Sequence, residues 1–162
     1  FNPDRYLSPA RFVKELEVGA AARAAGLPVG ETVAVVLAPA HPGWRAWGAA
    51  RLVPALDLVR WFRDPALGPA ARARLWAAAL AFVGSLAERG LFHPDLNLGN
   101  LLAESPDDGP WSLSVVDLDR ARWQDHPWGA ASCERMRRRL ARSYRKILGT
   151  YPPAATVAAP AR

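Results

Sequence analysis

The sequence predicts an α+β fold, mostly helical after a mixed segment at its start. Three observations carry this. Residues 31–53 hold two adjacent β-branched or aromatic runs separated by a Pro/Gly turn. Residues 68–90 and 130–148 repeat apolar side chains at helical spacing. A short apolar strand ending in acids, 111–119, lies between these two helices. With 162 residues, 51% of them hydrophobic and 22% charged, the chain can bury a substantial core and is not of disordered composition.

Taken in order, Ser8-Pro9 is a helix-opening pair, and RFVKELEVGAAARAA then runs to a terminating Gly26. Helical counting puts Phe12, Leu16 and Ala20 on one face, with Glu15 beside it. ETVAVVL (31–37) and WRAWGAARLV (44–53) read as paired strands around the turn APAHPG (38–43). From Pro54 the pattern turns helical. ALDLVRWF is short, and the long helix ending at Gly90 carries Leu75, Ala79, Val83 and Leu86 on one stripe. LFHPDLNLGNLLAE (91–104) reads as a loop, SPDDGP (105–110) as a turn and WSLSVVDLD (111–119) as a strand. The last helix, 130–148, directs Met136, Leu140, Tyr144 and Ile147 inward. The tail 150–162 is expected to be disordered. The scattered tryptophans are expected in the core.

Several classes are set aside by composition. The single Cys133 fits a reducing, cytoplasmic compartment, and its helical setting marks it as inert. His41, His93, His126 and Cys133 share no zinc-ligand spacing. Apolar runs stop well short of bilayer length. The formal net charge is +6, and residues 134–146 hold seven Lys/Arg against one acid, Glu134, which is the whole surplus. So local a basic segment suits one anionic contact rather than bulk nucleic-acid binding, and stacking aromatics are sparse there.

The chemistry concentrates in His93-Pro94-Asp95-Leu96-Asn97-Leu98-Gly99-Asn100, which matches the kinase catalytic loop H-x-D-L-x-x-x-N. Asp117 follows seventeen residues after Asn100, at the end of the apolar run Ser114-Val115-Val116. Phosphoryl transfer needs a carboxylate to take the attacking hydroxyl's proton, the role for Asp95. It also needs oxygen donors to hold Mg²⁺ against ATP, the roles for Asn100 and Asp117. His93 would brace the loop from beneath. An ordinary Asn/Asp/Gly turn would contain the same residue types. The Asp-to-Asn spacing, the preceding long helix and the second Asp on a strand favour the kinase reading.

HPDLNLGNLL, SVVDLDRAR (114–122) and RSYRKIL (142–148) resemble the lipopolysaccharide kinases, the Kdo kinase and inner-core heptose kinase group. RFVKELEVGAAARAAGLPV (11–29) resembles the same family. The resemblance implies a protein-kinase-like fold with residues 1–53 as a partial N-terminal lobe of one helix and two strands. Residues 54–149 would form the mostly helical catalytic lobe. It implies ATP and Mg²⁺ as cofactors and a Kdo or heptose hydroxyl of the lipopolysaccharide core as acceptor. Glu15 would pair a phosphate-anchoring lysine, and Asp119 and Arg120 would lie near the phosphates or the acceptor. A surface Asp–Arg pair is the plainer reading of those two. An aminoglycoside- or choline-type kinase, or an inactive kinase-like binding module, are the alternatives. The basic segment 134–146 would touch the acidic cytoplasmic face of the inner membrane.

No Gly-x-Gly occurs, and the only lysines are Lys14 and Lys146, neither placed to anchor a nucleotide. The expectation is therefore a kinase truncated at its N-terminus, binding Mg·ATP weakly and not turning over by itself.

Overall fold

The computed structural model describes residues 5–6, 10–41, 43–104 and 109–153. The Ser8-Pro9 helix start, the first part of the 105–110 turn and the tail beyond 153 lie outside them.

Helix α1 (Ala10–Ala24) ends as the sequence predicts. Gly26 adopts φ +73°, and the amides of Gly26 and Leu27 return to the carbonyls of Arg23 and Ala22. Arg89 closes the same end by donating to the carbonyls of Ala25 and Gly26 at 3.2 and 2.9 Å. The buried stripe differs from the expected one. Val18, Gly19 and Ala22 are buried, whereas Phe12 and Leu16 are half-buried and Ala20 is exposed. That rotation turns Glu15, one turn before Val18 and Gly19, toward the interior of the molecule.

Strands β2 (Thr32–Pro39) and β3 (Trp44–Ala50) pair antiparallel as expected. A third strand, β1 (Arg5–Tyr6), joins the other edge of β3, so the sheet order is β1-β3-β2. No residue of β2 is buried, and in β3 only Ala46 is. The sheet is tied on by the chain after α1, where the Gly30 amide donates to Val115 at 2.8 Å and Val115 to Pro28 at 3.1 Å.

Beyond Pro54 the short strand β4 (Leu56–Asp57) leads into helix α2 (Leu58–Arg63), capped by Asp57, which accepts from the Arg60 amide at 2.8 Å. Helix α3 (Pro69–Glu88) follows, and its Arg72 bonds the carbonyls of Phe62, Asp64 and Leu67 at the end of α2. By length and composition α3 is long and apolar enough to cross a membrane, although Arg72 and Arg74 interrupt its apolar run. Here its predicted stripe Leu75, Ala79, Val83 and Leu86 is fully buried at the centre of the core. Helix α4 (Ala130–Leu148) packs against it through Met136, Leu140 and Tyr144, with Ile147 at the margin. Phe62, Trp76 and Tyr144 meet edge to face, with centroids 4.9–6.4 Å apart.

The segment 91–104, expected as a loop, is only partly one. It contains β5 (Leu91–Phe92), a 3₁₀ turn (Leu98–Asn100) and β6 (Leu101–Glu104). β6 pairs with β4 and with β7 (Ser112–Val115), while β5 pairs with β8 (Arg122–Trp123). The expected strand 111–119 thus stops at Val115, which frees Asp117 from any ladder. These strands are too short to show a period in sequence; pairing across the chain creates them.

Candidate active site

The loop between β5 and β6 is fastened at each step. The Phe92–His93 stretch is buried, and the His93 amide donates to Met136 Sδ at 3.3 Å. Asn97 accepts from the Gly99 amide at 2.8 Å and donates through Nδ2 to the Asp95 carbonyl at 3.1 Å. The Leu98 amide donates to Ser143 Oγ of α4 at 3.2 Å. These bonds hold Asp95 at the surface while Leu96 and Leu98 are buried beneath it.

His93 is buried, about 1% exposed. Neither ring nitrogen meets hydrogen-bond geometry. Burial pushes the imidazole below its ordinary pKa, against the pull of Asp117, of the backbone at Val116 and Asp117, and of Asp95.

The Asp95 carboxylate is held from both sides. Arg120 Nη1 donates to Oδ2 at 2.8 Å and Arg139 Nη2 to Oδ1 at 2.7 Å. Arg120, expected near phosphates or acceptor, therefore lies on Asp95 itself. Asp119 is half-buried in the turn between the buried Leu118 and Ala121. Arg139 was missed by sequence reasoning. It lies 44 residues from Asp95 within a run of similar arginines, and no motif marks it.

Asn100 and Asp117 lie side by side. The Val116 amide donates to the Asn100 carbonyl at 2.9 Å, and Asn100 Nδ2 lies 3.5 Å from Asp117 Oδ2. Asp117 has φ +62°, the one described non-glycine residue in the left-handed region. Such a backbone is tolerated by Asp better than by most residues and is concentrated at functional sites. It turns the carboxylate out of the strand direction.

Asp117 borders a cavity of about 420 Å³ that also takes in Glu15, Gly19 and Arg23 from the α1 side. Val53, Ala55, Leu102 and Val116 add apolar lining. Glu15 Oε1 accepts from Thr32 Oγ1 at 3.3 Å. At the rim, the Arg51 guanidinium bonds Glu31 at 2.5 Å and holds that carboxyl below the usual carboxylate range. Lys14 is exposed on α1, so it does not share Glu15's setting.

The basic helix resolves into separate contacts. Arg138 pairs with Glu134, Arg135 stacks over Phe92, Arg137 reaches the Leu80 carbonyl, and Arg145 stacks over Tyr151. Together with Arg139 on Asp95, five of the seven cations have partners.

A solved structure described as WaaP in complex with acyl carrier protein is similar to this chain, with a TM-score of 0.62 at 22% identity. The likeness covers 83% of this chain and 58% of that one, so the chain spans little more than half of that protein's length. At this identity the likeness speaks for a shared kinase-like fold. A search of curated proteins finds no match. The profile of the Lipopolysaccharide kinase (Kdo/WaaP) family matches residues 3–150, the stretch holding the catalytic-loop pattern, Asp117 and the Asp95 clamp. The chain belongs to the Kdo/WaaP lipopolysaccharide kinase family.

Proposed function

We propose that this chain carries the catalytic part of an ATP-dependent kinase acting on a Kdo or heptose hydroxyl of the lipopolysaccharide core. The observation that carries the reading is the pairing of Asn100 with Asp117, which lines a cavity shared with Glu15, while Asp95 and Asp117 both act on the buried His93. In this reading residues 1–53 are part of an N-terminal lobe and 54–149 the catalytic lobe. The apolar lining of Val53, Ala55, Leu102 and Val116 suits a nucleobase, and Asp117 suits the metal-bound phosphates.

Asp95 accepts the proton of the acceptor hydroxyl as its oxygen bonds the γ-phosphorus and the bond to the β–γ bridging oxygen breaks, releasing ADP. Arg120 and Arg139 keep the carboxylate pointed at the acceptor. Asn100 and Asp117 offer an amide oxygen and a carboxylate, hard donors that fit Mg²⁺, which takes one or two protein ligands beside phosphates and water. When bound, Mg²⁺ supplies neutralisation of phosphate charge. Glu15 is placed to pair a cation that orients the phosphates. His93 holds the loop's floor.

One observation favours a second reading, a kinase-like binding module: the 162 residues contain neither Gly-x-Gly nor a lysine in the cavity. Titration with a fluorescent ATP analogue, with and without Mg²⁺, separates the two. Mg²⁺-dependent binding that Asp117→Ala weakens at least tenfold supports the kinase. Binding indifferent to both Mg²⁺ and Asp117 overturns it.

A further inference from the structure

Arg142 and Lys146 are the two cations of α4 with no partner among the described residues, and both face the catalytic loop's flank. They line two cavities at once, each of about 370 Å³. The first is walled by Asn97, Arg139 and Ser143 and floored by Leu96 and Ile147; the second continues to Arg145, Thr150 and Tyr151. No acidic residue lines either one. The trough thus begins at Arg139, whose guanidinium also holds Asp95, and runs down α4 to the Tyr151 ring. From Arg139 to Lys146 the helix rises about 10 Å, roughly two sugar rings.

Folding alone gives no reason for this arrangement. Arg139, Arg142 and Lys146 are successive i,i+3 and i,i+4 neighbours of like sign, which disfavours the helix slightly. The C-terminus of α4 contributes only about half a negative charge, against four side-chain cations. A ligand that brings negative charge would relieve the repulsion. Ser143 Oγ already accepts from the Leu98 amide, so its own hydrogen remains to donate. Tyr151 is 76% exposed, and with Arg145 over one face of its ring the other is left for a sugar.

The geometry points to this trough as the acceptor subsite: it takes a saccharide bearing its own anionic group, a carboxylate or a phosphate, and seats that group on Arg142 and Lys146 while a neighbouring hydroxyl reaches Asp95. The inference rests on the kinase reading above for the acceptor's class and adds where and by what charge it is recognised.

The test is binding of a deacylated lipopolysaccharide core oligosaccharide by calorimetry, in three forms: intact, dephosphorylated, and carboxyl-reduced. The Arg142→Gln/Lys146→Gln double variant is run beside the unaltered chain, with thermal melting to verify its fold and Arg142→Lys as a charge-preserving companion. Intact core should bind, and neutralising its anionic groups should weaken binding at least tenfold; whichever single treatment does so identifies the anion. The double variant should lose at least tenfold for intact core while Arg142→Lys retains most affinity. Equal binding of neutralised core, or full affinity in a folded double variant, overturns the proposal. So does binding to anionic but not neutral vesicles with none to the core, which would assign the trough to a lipid surface. The fluorescent-ATP titration keeps the two ideas apart: core binding without ATP binding sinks the kinase reading and leaves the trough. ATP binding with no core binding does the reverse.

Discussion

Gly90→Ala should unfold this protein far more easily than any other single methyl addition among its described glycines. Gly90 ends α3 with φ +91°, three residues before His93. An added Cβ would sit 1.9 Å from the Gln124 carbonyl oxygen and 3.2 Å from its carbon. Backing away is blocked, because the Gly90 carbonyl accepts from the Gln124 amide at 3.0 Å and from Trp128 Nε1 at 2.9 Å. The positive φ costs about 1–2 kcal/mol for an L side chain, and losing the two hydrogen bonds costs about 1 kcal/mol each. Together this is about 3–4 kcal/mol from a total stability of about 5–15 kcal/mol. Urea denaturation followed by tryptophan fluorescence measures it. At an m value of about 2 kcal/mol/M the midpoint should fall by about 1.5–2 M. Gly48→Ala is the comparison, since its Cβ meets nothing within 4 Å and should leave the midpoint nearly unchanged. If Gly90→Ala matched Gly48→Ala, the close approach of β8 to the end of α3 would be refuted, and with it the account of what holds the catalytic loop's base.

Transfer from γ-labelled ATP to deacylated core should be undetectable with the 162 residues alone and appear when strands bearing a Gly-rich turn and a lysine are joined ahead of them; robust transfer by the 162 residues would contradict this. In the active form, Asp95→Asn should cost about 10²–10⁴-fold and Asp117→Ala at least as much, and full activity in either would remove that residue from the mechanism. His93, with its pKa lowered by burial, binds fewer protons folded than unfolded. Its contribution is neutral above the ordinary value of 6.5 and becomes destabilising as pH falls below it. Denaturation at pH 7.5 and 5.5 should therefore show a smaller acid loss in His93→Leu than in the unaltered chain; an equal loss would exonerate His93. Arg72→Met should lower stability by about 1.5–3 kcal/mol, the range for charge-assisted bonds, because three carbonyls around the end of α2 lose their donor. A midpoint unchanged in urea would count against that cap.

The sequence by itself determined the features that are local. Helix α3 and its buried stripe, the inward residues of α4, the stop at Gly26 and the β2–β3 hairpin follow from periodicity and turn chemistry, which act within a few residues. The loop from His93 to Asn100 and the later Asp117 were legible for the same reason, since their spacing is written along the chain. Tertiary structure alone decided which face of α1 turns inward, because Val18 and Ala22 are chosen by what packs on them. It also decided the pairing of two-residue strands such as β5 with β8, and the Arg139–Asp95 contact across 44 residues. One arginine among seven basic residues carries no local mark of its partner. Only the packing of α4 against the catalytic loop separates Arg139, bound to Asp95, from Arg142 and Lys146 beside it.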